Sequence, residues 1–131
     1  MDFTKTFATD KTLENEGVDV AIGDGAVVKI CRMGNPAWKK VFGEKVTPYR
    51  AQIRMGKMDE DLAERLHTEA VAETILVGWS GFTDNGEAVG YSVANAVAMM
   101  TKFPEFKAMV LELAGERATF QQIGSEVAEG N

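Results

Sequence analysis

Apolar residues change their period several times along this 131-residue chain, and each change marks an element. Val18, Val20 and Ile22 alternate with Asp19 and Ala21, and Val28 and Ile30 resume the alternation around Lys29. A period of two belongs to strands with one buried face. Between the two runs, Gly23-Asp24-Gly25 supplies residues that tolerate positive φ, so the segment predicts a β-hairpin. Asn35-Pro36 then opens a helix, because Asn caps well and Pro at the first helical position loses no needed N–H. Trp38, Val41, Phe42 and Val46 follow at helical spacing. Thr47-Pro48 marks a second start leading into residues 49–55, and Gly56 breaks that run.

From Asp59 a helix begins with acids in its first turn and a stripe of Leu62, Leu66, Ala70, Thr74 and Val77. Val71, Ala72, Ile75, Leu76 and Trp79 occupy its other sides, so its second half is expected to be the most buried element, ended by Gly78 and Gly81. Thr83-Asp84-Asn85-Gly86 has turn chemistry, and Ser92 caps a helix carrying Val93, Ala96, Val97 and Met100. Pro104 starts the last helix, with Phe106, Met109, Val110, Leu113 and Phe120 on one face. Glu105, Lys107, Glu112 and Glu116 lie elsewhere on it, and Arg117 intrudes on the stripe by snorkelling.

Residues 1–16 show only isolated Phe3, Phe7 and Leu13 and are expected to form a flexible arm; residues 124–131 are expected to form a flexible tail. The fold class expected is mainly α, a single small helical domain over 17–123 with an N-terminal β-hairpin, flexible termini and about five helices.

Composition supports a folded body: 45% apolar and 26% charged residues are near globular averages. A lone Cys31 and a start without a basic, then apolar, leader point to a reducing cytoplasm. No apolar stretch reaches the roughly 20 residues of a bilayer span. The net charge of −6 disfavours a phosphate backbone as partner unless cations gather on one face. Lys39, Lys40, Lys45, Arg50, Arg54 and Lys57 do gather around a single Glu44, as a solvated helical face or a docking patch for an acidic partner.

Candidate chemistry is sparse. His67 has Glu64 and Asp61 upstream on its helix, but no second His or Cys completes a metal site. Cys31 lies in a strand with nothing nearby to activate a thiolate. Gly23-Asp24-Gly25 lacks the following Gly and helix of a dinucleotide fingerprint, and counting back from Gly86 puts Gly81 where a calcium loop needs its first acid. No catalytic residue, metal ligand or cofactor is assigned. Trp38, Trp79, Phe103, Phe106 and Phe120, with seven Met, suit either a core or an adaptable partner surface.

Four motifs occur in order: Asn35-Pro36-Ala37-Trp38, Val71 to Gly81 (VAETILVGWSG), Tyr91-Ser92-Val93-Ala94-Asn95-Ala96 and Phe103-Pro104-Glu105-Phe106. Together the series resembles the tail assembly chaperones of long-tailed (siphovirus-type) phages and prophages, over roughly residues 17–120. The resemblance implies a non-catalytic, mainly helical protein of the host cell cytoplasm that binds and solubilises the tape measure protein. It further implies recruitment of tail tube protein through a longer frameshifted form, homo-oligomerisation, and absence from the mature virion. No catalytic residue is carried over, and neither nucleic acid nor membrane is an implied partner.

The residues expected to bind a partner are Val28 and Ile30, taken as an exposed hairpin edge, with neighbouring Met33 and Trp38. Alternatives are another phage morphogenesis component, such as a head-tail connector or tail completion protein, and a small enzyme built on His67.

Overall fold

The computed structural model describes residues 1–121. The expected hairpin is present: β1 (Val18–Gly23) pairs antiparallel with β2 (Ala26–Ile30). Asp24 and Gly25 at the turn have φ of 53° and 77°, the positive values that a two-residue turn matching strand twist requires. Asn35 caps α3 (Pro36–Val46), its side-chain oxygen accepting from the Trp38 N–H at 2.9 Å. A 3-10 turn (Thr47–Tyr49) leads into α4 (Arg50–Arg54), and Gly56, at φ 67°, ends the run. Asp59 caps α5 (Glu60–Thr74).

The long apolar helix expected to end near Gly78 and Gly81 stops at Thr74, and Leu76–Ser80 is a third strand, β3. Its register places Leu76 opposite Ile30, Gly78 opposite Lys29 and Trp79 opposite Val28, so the sheet order is β1-β2-β3. A short apolar run continuing from a helix is ambiguous in period, and pairing with a distant strand decides it. The buried end of α5 needs donor partners for its last carbonyls. The single Tyr91 O–H is shared between the Ala72 and Leu76 oxygens (3.1 and 2.8 Å), Asn35 Nδ2 reaches Thr74 O (3.3 Å), and the Cys31 N–H bonds Ile75 O (2.8 Å). Gly81, at φ 79°, passes so close to the first hairpin that a Cβ would lie 2.3 Å from Gly25 O. Much of the motif series thus maintains the helix-to-strand junction.

A second small hairpin, β4 (Thr83–Asp84) with β5 (Glu87–Ala88), turns at Asn85 and Gly86 with φ of 52° and 84°. Ser92 caps α6 (Val93–Lys102), and Pro104 opens α7 (Pro104–Gly115). A closing 3-10 turn (Arg117–Phe120) puts Phe120 in the core. The fully buried set draws Val28 and Ile30 from β2, Val71 and Ala72 from α5, Ile75 and Leu76 from the junction, Ala96 and Met100 from α6, and Val110 and Ala114 from α7. The described chain is mostly helical, with a three-stranded sheet where a hairpin alone was expected.

Residues 1–16, expected as a flexible arm, contain α1 (Phe3–Phe7) and α2 (Lys11–Glu16), each capped by an Asp. The Asp10 N–H bonds Phe120 O at 2.8 Å and the Arg32 N–H bonds Glu14 O at 2.9 Å, fastening this segment to the domain. Its anchor is polar: the buried Glu14 carboxylate accepts from Thr9, Lys11 and Arg32 at 2.5, 3.0 and 2.7 Å. Hydrophobic periodicity carries no trace of such an anchor. The tail expected over 124–131 lies outside the described residues.

Candidate functional site

Val28 and Ile30 cannot form an exposed edge. They lie on β2, the middle strand of the sheet, and both are fully buried. The added strand β3 covers the side that a two-stranded hairpin would leave open. Met33 sits just beyond β2, half-buried against the core, with its N–H on Ala114 O at 2.9 Å. Trp38 is also half-buried: it stacks on Phe42 at 4.9 Å and meets the His67 ring edge-on at 5.2 Å. The four residues therefore do not share one surface.

Two concave features lie elsewhere. The first is an aromatic cleft of about 200 Å3 where β3, the second hairpin and the α6–α7 junction meet. Trp79 is its anchor, placed on the helix-covered side of the sheet by its register with Val28. Its indole N–H donates to Val89 O at 2.8 Å, and its ring lies 5.3 Å from Tyr91, 5.4 Å from Phe82 and 6.0 Å from Phe106. Met99 and Phe103 close the cleft from α6, and Phe103 remains 42% exposed. At the rim, Lys102 pairs with Asp84 at 2.8 Å. An apolar socket of rings and one thioether, rimmed by a neutralised ion pair, is suited to holding an apolar side chain.

The second feature is a groove of about 800 Å3 between α5, α6 and α7. Lys107 shares a face of α7 with Val110 and Ala114, and only 7% of it is exposed, although the sequence pattern places it with the solvent-facing residues. Its ammonium is compensated by Glu64 at 2.6 Å and Thr68 at 2.9 Å. The hydrogen bond from Lys107 holds the Glu64 carboxyl below its ordinary range, against a smaller upward push from burial. Burial, with the Lys107 charge nearby, lowers the His67 pKa and favours the neutral ring.

His67 therefore serves as an aromatic packing partner of Trp38 and Phe42, in a groove whose buried cation is already matched. No group of His, Cys, Asp and Glu able to hold a metal ion occurs among the described residues. Burial also raises the pKa of the Cys31 thiol, which donates to Asn15 O at 3.4 Å. No helix among the described residues is long and apolar enough to cross a membrane.

The cleft is legible in the sequence only as a set of aromatic positions. Trp79, Phe103 and Phe106 stand out there as candidates for a core or a surface, whereas Phe82, Val89 and Met99 join them only through the fold of the second hairpin. Comparison with curated proteins finds no match, and comparison with solved structures finds none. The family model described as YdaY prophage protein matches residues 33–131, which include the aromatic cleft, the groove and every helix from α3 onward. The chain belongs to the YdaY prophage protein family.

Proposed function

We propose that this prophage protein is a tail assembly chaperone, which binds the tape measure protein of its own phage and keeps it soluble during assembly. In this reading it acts by binding without turnover, self-associates reversibly in the host cytoplasm and is left out of the finished particle. Recruitment of tail tube subunits falls to a longer, frameshifted form. The observation that carries the reading is the aromatic cleft at Trp79, Phe82, Met99, Phe103 and Phe106. Long amphipathic helices are recognised through apolar anchors spaced along one face, and a ring-lined socket with an adaptable Met suits such an anchor. Membership of a prophage family supports a client made by the same phage.

Co-expression with the tape measure protein of the same prophage tests the proposal. The client is expected in the soluble fraction, bound to this chain. Phe103→Glu, at a partly exposed position where the fold tolerates polarity, is expected to return most of it to the pellet. A client equally insoluble with and without the wild-type chain contradicts the reading. Mass spectrometry of purified virions separates it from a head-tail connector or tail completion protein, either of which would persist there.

A further inference from the structure

Charge is segregated within this chain. Of its 14 basic and 20 acidic side chains, six basic residues and a single acid fall within residues 36–58, leaving the remainder strongly acidic. The basic segment ends in an arm: the 3-10 turn over Thr47–Tyr49 and helix α4 contain no buried residue. Arg50, Arg54 and Lys57 extend along it, together with exposed Ile53 (47%) and Met55 (61%). A five-residue helix is too short to be stable by itself in water, so an arm presenting two large apolar side chains is suited to being covered.

The groove between α5, α6 and α7 has complementary character. Half-buried Val97 and Leu111 line it as apolar surface above the buried Met100, and Asp61, Glu64 and Glu69 bring acids to it. Most of these charges are paired within the chain, Glu64 with Lys107 at 2.6 Å and Glu69 with Lys45 at 3.5 Å and Arg65 at 4.0 Å, which leaves Asp61 as the lining acid outside those ion pairs. We infer that the arm of one copy seats Ile53 and Met55 in the α5–α6–α7 groove of a second copy, with the basic side chains of the arm turned toward Asp61. A second copy is the occupant because one molecule carries both halves of the match. Two copies with a net charge of −6 repel at long range, and opposing the basic arm to an acidic surface offsets that repulsion. Arm and groove are different surfaces, so repetition builds either a closed ring or an open chain, and a reciprocal exchange closes a dimer. The interface supplies the self-association invoked in the proposed function, yet it needs no tape measure protein, so each reading can fail without the other.

Analytical ultracentrifugation of the purified full-length chain tests the interface. The wild type is expected to self-associate, more weakly as salt is raised. Arg50→Glu/Arg54→Glu and, separately, Asp61→Lys are each expected to raise the dissociation constant about tenfold or more. Ala108→Trp, which fills the groove from an exposed position, is expected to do the same. Mixing the arm-reversed and Asp61→Lys proteins should restore a complex that neither forms alone. Unchanged thermal unfolding of the arm variant establishes that it is folded. A monomeric wild type, or association indifferent to arm reversal in a folded variant, overturns the inference.

Discussion

Glu14 shows how a single polar residue organises a segment that hydrophobic patterning leaves blank. Burial pushes its carboxyl upward, but hydrogen bonds from Thr9, Arg32 and Lys11 outweigh that and hold the pKa down from 4.5 to about 2. Because the folded value lies below the unfolded one, the stabilisation is complete above about pH 4.5 and drains away as pH falls toward 2. It amounts to about 3 kcal/mol at neutral pH for this nearly buried side chain. Glu14→Gln should therefore lower the melting temperature at pH 7 and flatten its decline between pH 4.5 and 2, which calorimetry across pH would read. At Gly81 the constraint is steric instead. A side chain there meets the Gly25 carbonyl and a positive φ together, so Gly81→Ala is expected to cost about 2 kcal/mol or more in urea unfolding.

Among the elements, those defined by local chemistry are legible in the sequence. The first hairpin and the starts of α3, α5, α6 and α7 follow from Asp24-Gly25, Asn35-Pro36, Asp59, Ser92 and Pro104, whose roles depend on their immediate neighbours. Strand β3 is not legible, because Leu76 and Val77 extend the apolar run of α5 and become a strand only by pairing with β2. That same pairing removes the supposed edge, and packing against residues of α5, α6 and α7 buries the Val28 and Ile30 side chains. Lys107 is misplaced by the pattern for a related reason: a cation set off the apolar stripe among Glu105, Glu112 and Glu116 looks solvent-facing until Glu64 and Thr68, from another helix, are seen to satisfy it. The junction between α5 and β3 can be probed through Tyr91, whose hydroxyl serves two of its carbonyls. Tyr91→Phe leaves both without that donor and should cost about 1–3 kcal/mol, measured by denaturant unfolding.

At the scale of the molecule, a sheet and a layer of helices enclose the core and leave three features outward: the aromatic cleft, the α5–α6–α7 groove and the basic arm. Each is suited to non-covalent contact with apolar or oppositely charged side chains. Under the proposed function the cleft engages the client, while arm and groove join copies of the protein. The proposed role of this chain in keeping the tape measure protein soluble is tested most directly in an induced lysogen with the gene deleted. Fractionated lysates are expected to show the tape measure protein moving from soluble to pelleted material, with tailless heads accumulating and rescue by the wild-type gene but not by Phe103→Glu. A soluble tape measure protein and normal tails in the deletion strain would contradict the chaperone function.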